Sequence, residues 1–172
     1  MKEFHVAISA NQCWNIYNFR KGLLQRLISA GVKVTIIAPE DDCTPHLRQL
    51  GCEVVHLPLA AQGVNPFADL QLVAIYAKIL KRIKPDLIIN YTIKPVIYGS
   101  LGAAIAGVPS LAITTGLGYT FINENAVARV ARLLYKVALR FPKQVWFLNA
   151  DDRDIFVKFG LVDPLRTFIL DG

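Results

Sequence analysis

Apolar and polar positions follow two different periods along this chain. Runs of about four to eight apolar residues predict buried strands, and segments with apolar residues every three or four positions predict helices. In the segment 15–31, Ile16, Phe19, Leu23 and Leu27 recur at helical spacing, and Gly31 is a suitable stop. Strands are predicted at 4–9, 32–39, 52–59, 85–90, 108–114, 143–149 and 166–172, and helices at 15–31, 43–51, 65–84, 94–107, 125–141 and 150–160.

The predicted strands and helices alternate along the whole chain. Such alternation is typical of right-handed crossover units, and it predicts a doubly wound, mostly parallel, Rossmann-like α/β sheet with helices on both faces. No repeat, low-complexity tract or linker interrupts the pattern, so we expect a single domain over residues 1–172. Ligands of such sheets bind beyond the carboxyl ends of the strands. The segments expected there begin at Ala10, Asn90 and Thr114.

Composition narrows the class of protein. Hydrophobic residues make up 53% of the 172 residues, which fits either a sheet buried on both faces or a surface that something else covers. No uninterrupted run approaches the roughly 20 apolar residues of a transmembrane helix. The three cysteines form no CxxC pair, which favours a reducing compartment over a disulfide framework or a zinc site. The net charge of +6 suits acidic partners such as phosphates, nucleic acid or an anionic membrane.

The loop after the first strand, Ala10–Asn15, lacks the glycines of a dinucleotide site or a P-loop. Its amide side chains and Trp14 suit a hydroxyl-rich ligand, because amides pair with hydroxyls and an aromatic face covers sugar C–H groups. A helix cap, with Trp14 packed on the domain edge, explains the same residues equally well.

The segment after the fourth predicted strand contains Tyr91, Thr92 and Lys94. A lysine near a helix N-terminus could hold a phosphate or carboxylate. For Lys94 alone, a capping threonine beside a solvated lysine is the more economical interpretation.

The loop after the fifth predicted strand, "TTGLGYTFINEN", is long for its position. Gly116 and Gly118 permit positive φ, while Leu117, Tyr119 and Phe121 would be apolar groups at an exposed tip. We expect a contact surface here, and the alternative is a loop folded back onto the core.

A basic stripe follows this loop. Arg129, Arg132, Lys136 and Arg140 are spaced by three and four residues on one side of the predicted helix. Four apolar residues face elsewhere on that helix: Val130, Leu134, Val137 and Ala138.

Together with Leu117 and Phe121, the basic stripe predicts a peripheral contact with an anionic membrane, although a solvated face would look the same. Nucleic acid is disfavoured because neither a stacking platform nor a helix-turn-helix pattern accompanies the charge.

Catalytic chemistry is not apparent. His5 lies in a predicted core strand, and the acids of "NADDRD" open a helix, where they favour the helix dipole. The sequence offers neither a nucleophile–base pair nor a metal constellation, so no catalytic residue is assigned and no metal site is expected.

Four segments, "WNIYNFRKGLLQRLISAGVKVTIIAP", "PDLIINYTIKPVIYGSLGAAIAGVP", "ITTGLGYTF" and "VWFLNADDRDIF", carry a resemblance that spans essentially the whole chain. They resemble the N-terminal domain of retaining glycosyltransferases of the group 1, or family 4, type. Within that family, the most similar branch comprises bacterial enzymes that build polysaccharides or glycans on undecaprenyl diphosphate.

This resemblance implies one half of a GT-B architecture, in which two Rossmann-like domains face each other across a cleft. It implies that the N-terminal domain binds the acceptor, that a C-terminal domain absent from this sequence binds most of the nucleotide-sugar, and that no metal or other cofactor is needed. Without that second domain, the cleft-facing surface would be uncovered, which fits the high apolar content. The residues implied to line the cleft are Asn11, Trp14, Asn15, Tyr17, Asn18, Thr92, Lys94, Thr115, Gly116, Gly118 and Tyr119.

The expected function is therefore the acceptor-binding half of a hexosyltransferase. Its substrates would be a nucleotide-sugar donor and a lipid-linked saccharide, in the biosynthesis of surface polysaccharide, capsule or lipopolysaccharide. The protein would act in the cytoplasm, at the inner face of the plasma membrane, and this chain alone would be inactive. Three alternatives are half of a nucleotide-sugar epimerase, a non-catalytic membrane-docking subunit of a two-chain glycosyltransferase, and a flavodoxin-like binding domain, the last disfavoured by the missing phosphate loop.

Overall fold

The computed structural model describes residues 3–59, 66–116 and 126–170, and in them seven strands form one parallel sheet. All six pairings between neighbouring strands are parallel, which confirms the predicted fold class. The strands are β1 (His5–Ser9), β2 (Lys33–Ala38), β3 (Glu53–His56), β4 (Leu87–Tyr91), β5 (Ser110–Thr114), β6 (Gln144–Phe147) and β7 (Thr167–Ile169). Their order in the sheet is β3-β2-β1-β4-β5-β6-β7.

Helices connect successive strands, as the alternation predicts. They are α1 (Cys13–Ser29), α2 (Thr44–Gln49), α3 (Pro66–Ile83), α4 (Ser100–Ala106), α5 (Ala126–Ala138) and α6 (Ala150–Lys158). A π-helical turn (Pro95–Gly99) leads into α4, and a 3-10 turn (Pro164–Arg166) precedes β7.

Helix α1 begins two residues earlier than the sequence predicts, so Trp14 belongs to its first turn and not to a loop. The reason is non-local: Asp41 Oδ2 accepts a hydrogen bond of 2.7 Å from the backbone N–H of Trp14. A carboxylate at a helix N-terminus accepts a hydrogen bond from a backbone N–H that has no partner within the helix. Its negative charge also interacts favourably with the positive end of the helix dipole.

The two faces of the sheet carry different helices. Right-handed crossovers place α1 and α2 on one face and α3 to α6 on the other, because the direction of strand addition reverses after β3. Two buried clusters match this division: one contains Ile16, Leu24 and Leu47, and the other contains Tyr76 and Phe156. Burial of strands on both faces accounts for much of the high apolar content.

The reversal of strand order places β1 beside β4, and this is the topological switch point of the sheet. The chain leaves β1 towards α1 on one face and leaves β4 towards the π-helical turn on the other. The two carboxyl ends therefore diverge and leave a crevice, which is where doubly wound sheets bind ligands.

The helices of the second face pack closely at Gly102 in α4. A Cβ atom placed on Gly102 would lie 2.4 Å from Tyr76 Cβ in α3. The hydroxyl of Tyr76 in turn lies 2.7 Å from Ser9 Oγ at the end of β1. The glycine thus lets α3 approach α4 and helps to hold the two helices at the switch point.

Strands β5 to β7 lack a helix on the face that α1 and α2 cover elsewhere, within the part of the chain that the structure describes. Phe168 is 51% exposed there, and Trp146 and Leu111 are half-buried. A cavity of about 540 Å³ lies between this face and Leu23 of α1. An uncovered apolar surface is therefore present on this side of the sheet.

Candidate functional site

A cleft of about 330 Å³ opens at the switch point between the carboxyl ends of β1 and β4. One wall comes from α1 and the other from the ends of β4, β5 and β6. The lining residues are Ala10, Asn15, Ile16, Phe19, Arg20, Tyr91, Thr92, Thr115 and Leu148. Three of them, Asn15, Thr92 and Thr115, are residues that the sequence predicts for the cleft.

Thr92 joins the two sides of the cleft. Its Oγ1 accepts a hydrogen bond of 3.1 Å from the backbone N–H of Asn11 and donates one of 2.5 Å to the carbonyl of Tyr91. Its φ of 64° lies in the left-handed region, which non-glycine residues seldom occupy. Such backbone strain is concentrated at functional sites.

Asn15, which lines the cleft, forms an amide pair with Asn11, a residue predicted for the cleft that lies just outside its lining. Asn15 Nδ2 donates to Asn11 Oδ1 at 2.7 Å. Because this bond fixes the orientation of Asn15, its Oδ1 is left to accept hydrogen bonds from a ligand. The side-chain amides that the sequence predicts for a hydroxyl-rich ligand therefore lie together at the start of α1.

Arg20 supplies the only charge among the described residues that line this cleft, and the sequence prediction missed it. Its guanidinium lies 4.7 Å from the centroid of the Tyr91 ring, a cation–π distance. Burial raises the pKa of Tyr91 above its ordinary value, and the charge of Arg20 partly offsets that rise. The missed signal was spacing: Arg20 follows Ile16, which also lines the cleft, by four residues, or about one helical turn.

Three further residues predicted for the cleft, all on α1, lie outside its lining, as do Lys94 and Gly116. Trp14 borders a separate cavity of about 300 Å³ beside Asp41 and contacts Phe19 edge to face at 5.6 Å. Tyr17 stacks on His46 of α2 at 5.2 Å. Asn18 is exposed and donates to the carbonyl of Trp14 at 2.9 Å, so its amide serves the helix backbone.

Lys94, the cation that the sequence offers for an anionic ligand, has an internal partner. Its Nζ lies 2.9 Å from Asp69 Oδ1, and the side chains are 16% and 10% exposed. Burial and the neighbouring Asp69 carboxylate raise the pKa of Tyr98 to about 12. Lys94 therefore ties the segment after β4 to the first turns of α3, and it does not line the cleft.

The loop after β5 is described only in its first residues. Thr115 lines the cleft, and Gly116 has a φ of 133°, which a residue with a side chain rarely adopts. The remaining predictions for this loop, on Leu117, Gly118, Tyr119 and Phe121, lie outside the described residues.

The basic stripe of α5 is only partly as predicted. Arg129, Lys136 and Arg140 are exposed, and Arg140 lies beyond the end of the helix at Ala138. Arg132 instead packs over the ring of Phe159 at 4.8 Å.

The apolar residues of α5 differ widely in burial. Ala138 is buried and Leu134 half-buried, but Leu133, Val130 and Val137 are 62%, 44% and 40% exposed. Apolar side chains therefore lie in solvent beside the exposed cations.

Metal-binding and membrane-spanning features were sought within the same described ranges. They contain no group of three or more His, Cys, Asp or Glu side chains close enough to hold a metal ion. None of their helices is both long and apolar enough to cross a bilayer.

Two curated bacterial proteins are similar in sequence. The N,N'-diacetylbacillosaminyl-diphospho-undecaprenol alpha-1,3-N-acetylgalactosaminyltransferase of Campylobacter jejuni is 31% identical over 152 residues, which are 86% of this chain and 40% of the relative. The UDP-Gal:alpha-D-GlcNAc-diphosphoundecaprenol alpha-1,3-galactosyltransferase of Escherichia coli is 26% identical over 116 residues, which are 66% of this chain and 30% of the relative. The chain thus spans less than half the length of either relative.

Solved structures share the fold at low sequence identity. A glycosyltransferase from Rickettsia africae matches 98% of this chain and 43% of its own with a TM-score of 0.73 and 14% identity. A UDP-GlcNAc 2-epimerase from Methanocaldococcus jannaschii matches 98% of this chain and 45% of its own with a TM-score of 0.63 and 12% identity. The fold is one Rossmann-like half of the GT-B architecture, and it does not by itself separate transferases from epimerases.

The family model described as "Glycosyl transferase 4-like" matches residues 5–149, which include β1 to β6 and the whole cleft. The chain belongs to the glycosyl transferase 4-like family.

Proposed function

We propose that this chain is the acceptor-binding half of a glycosyltransferase. The intact enzyme transfers a sugar from a nucleotide-sugar donor to a saccharide carried on a lipid diphosphate, in the biosynthesis of a surface glycan such as capsule or lipopolysaccharide. The observation that carries this proposal is the cleft at the switch point, where Asn15, Thr92 and Thr115 present hydrogen-bonding groups beside Arg20. The names of the two curated relatives, which specify saccharide–diphospho-undecaprenol acceptors, support the choice of substrate.

The cleft is suited to binding and not to acid–base catalysis. Its lining includes neither a carboxylate nor a histidine within the described residues. Stabilisation of the leaving nucleotide diphosphate must then come from a second domain or a partner chain, since preorganised charge is usually the largest catalytic term. We expect no transfer activity, and no metal requirement for acceptor binding, from this chain alone.

The uncovered face of β5 to β7 supports the proposal that a second domain or a partner chain binds this one. Phe168 and Trp146 contact each other there at 5.2 Å between ring centroids, with Phe168 half in solvent. Exposed apolar patches of this kind mark contact sites.

Docking to the inner face of the plasma membrane is the second part of the proposal. Arg129, Lys136 and Arg140 would meet anionic headgroups, while Leu133 and Val137 would enter the interface beside them. Each basic residue near an anionic membrane contributes about 1 kcal/mol.

The neighbouring helices support the same orientation. An apolar groove of about 980 Å³ runs between α3 and α4 and includes the exposed Leu70, Ile105 and Phe141. Lys78 and Lys81 border it. The only acidic residue in the sequence of α3, α4 and α5 is Asp69, which is buried in its ion pair. This side of the molecule therefore presents cations and apolar groups together.

Acceptor binding is tested with farnesyl-diphospho-N-acetylglucosamine as the probe, with affinity measured by isothermal titration calorimetry. Asn15→Ala should weaken binding about tenfold, the value of roughly one lost hydrogen bond. Asn18→Ala is the matched control on the same helix and should leave the affinity unchanged. A chain that does not bind this probe but binds free UDP-N-acetylglucosamine would refute the proposal in favour of the epimerase alternative.

Membrane docking is tested by co-sedimentation with liposomes of phosphatidylglycerol and phosphatidylethanolamine. The double change Arg129→Glu and Lys136→Glu should abolish sedimentation with anionic vesicles. Lys21→Glu with Arg26→Glu, an equal charge change on α1 at the opposite face, should have little effect. Equal loss in both variants would indicate attraction by net charge alone and would argue against a docking face on α5.

A further inference from the structure

We infer that Arg20 binds the diphosphate of the lipid-linked acceptor in the switch-point cleft. The inference rests on the proposed function and deepens it by assigning the acceptor's charged group to one residue. The cation suggested by the sequence, Lys94, is already paired with Asp69, whereas Arg20 lines the cleft itself.

The guanidinium charge of Arg20 is available to bind an anionic ligand. Its guanidinium forms no ion pair with a carboxylate within the described residues, and its Nη1 donates a hydrogen bond of 3.0 Å to its neighbour's carbonyl, Phe19 O. Four other basic side chains do have carboxylate partners: Lys33 with Glu53, Arg48 with Glu40, Lys94 with Asp69 and Arg153 with Asp154. A guanidinium has five N–H donors, so most of those of Arg20 remain for a ligand.

Tyr91 holds the guanidinium in place. The tyrosine is only 6% exposed because it ends β4 within the sheet, so its ring is a fixed platform. A guanidinium 4.7 Å from that ring is oriented before a ligand arrives. Preorganisation lowers the ordering cost of binding, and a planar fork is the geometry that matches phosphate oxygens in pairs.

The surroundings favour a lipid diphosphate over a nucleotide. Phe19, the neighbour of Arg20 on α1, and Leu148, at the end of β6 on the opposite wall, both line the cleft and are 61% and 38% exposed. An anion-binding group with apolar side chains at its mouth suits a phosphate that continues into a hydrocarbon chain. Thr92 and Thr115 lie on the opposite wall, where hydroxyls can meet the remaining phosphate oxygens or the first sugar.

The experiment compares affinities of the wild-type chain, Arg20→Met and Arg20→Lys for three probes: farnesyl diphosphate, UDP and inorganic pyrophosphate. Arg20→Met keeps a long apolar stem and should weaken farnesyl diphosphate binding about ten- to hundredfold, the value of a lost charge-assisted contact. Arg20→Lys should recover part of the affinity, because it restores the charge without the fork. Arg26→Met, on the same helix but outside the cleft lining, is the control.

Salt dependence separates a direct contact from a merely structural role. Wild-type affinity for farnesyl diphosphate should fall as salt rises, and that dependence should flatten in Arg20→Met while the melting temperature stays close to wild type. Unchanged affinity in Arg20→Met would overturn the inference. So would UDP binding that depends on Arg20 without farnesyl diphosphate binding, because the site would then belong to the nucleotide.

Failure of the Arg20 assignment can be distinguished from failure of the proposed function. Binding of farnesyl-diphospho-N-acetylglucosamine that depends on Asn15 but not on Arg20 would remove only the assignment of the diphosphate. A wild-type chain that binds neither the saccharide probe nor farnesyl diphosphate would remove both proposals.

Discussion

The backbone N–H of Asn11 donates to Thr92 Oγ1 across 3.1 Å, and this bond ties the end of β1 to the end of β4. The two residues are 81 positions apart in the sequence and meet only because the strand order reverses at β1. The same threonine hydroxyl stabilises its own left-handed backbone through the carbonyl of Tyr91. The Thr92 side chain thus links the two strand ends that border the proposed acceptor cleft.

Thr92→Val tests this relationship because valine keeps the shape of threonine and loses only the hydroxyl. The Asn11 N–H would be left without its acceptor, and we expect a loss of about 1–3 kcal/mol in the free energy of unfolding. Thr92→Ser keeps the hydroxyl and should lie much closer to wild type. Urea denaturation of the three proteins gives the comparison, and equal stability of Thr92→Val and wild type would contradict it.

Gly102→Ala should destabilise the packing of α3 on α4. The new Cβ would lie 2.4 Å from Tyr76 Cβ and 3.0 Å from the carbonyl oxygen of Val73, so the backbone must move. Overpacking of this kind costs about 1–3 kcal/mol. Denaturant unfolding measures the loss, and the urea midpoint should fall.

Gly22→Ala is the matched control for that substitution. Gly22 lies in the interior of α1, and a Cβ atom added to it would have no neighbour within 4 Å outside its own helix backbone. Alanine in an open helix interior should stabilise by about 0.5–1 kcal/mol. If both alanine variants shift the urea midpoint in the same direction, close packing at Gly102 does not control stability.

The period of the apolar residues was sufficient to predict the fold. Buried strands such as β2 and helices such as α1 bury their apolar faces according to local patterns, so the alternation and the parallel sheet are readable along the chain. Helix ends were predicted less accurately, because the first turn of α1 depends on Asp41, 27 residues from Trp14.

The site was only partly predictable because its partners are distant in sequence. Asn15, Thr92 and Thr115 could be placed from strand ends, since the ends of parallel strands meet at one edge. Arg20 contacts Tyr91, which is 71 positions away, and Lys94 contacts Asp69, which is 25 positions away. A local sequence pattern predicts neither contact.

The Lys94–Asp69 pair should contribute more to stability than the surface ion pairs do. Its side chains are 16% and 10% exposed, so Asp69→Asn would leave a largely buried ammonium without its carboxylate. We expect a loss of about 2–3 kcal/mol, just below the range for fully buried pairs.

The control for that change is Glu40→Gln, which breaks the exposed pair with Arg48. Exposed pairs contribute about 0–1 kcal/mol, and salt screens them. Urea unfolding at low and high salt compares the two variants. Equal small losses, both removed by salt, would show that the Lys94–Asp69 pair behaves as a solvated one.

His5 should make the stability of the domain depend on pH between about 7.5 and 5.5. Burial, with a smaller contribution from the charge of Lys33, lowers its pKa below the ordinary 6.5, although Glu53 and Asp86 act in the opposite direction. Its Nε2 lies 2.8 Å from Thr35 Oγ1, which itself donates to Glu53 Oε2. As the pH falls through 6.5 the unfolded chain takes up the proton first, and the free energy of unfolding must decrease.

Urea unfolding across that pH window, for wild type and His5→Gln, measures the effect. Glutamine can still hydrogen-bond to Thr35 but does not titrate, so its stability should change little while that of the wild type falls towards a pH of about 5.5. His46→Gln removes an exposed histidine and should keep the wild-type slope, because His5 remains in place. Identical slopes in wild type and His5→Gln would mean that His5 titrates alike in the folded and unfolded chains, which contradicts its lowered pKa in the folded state.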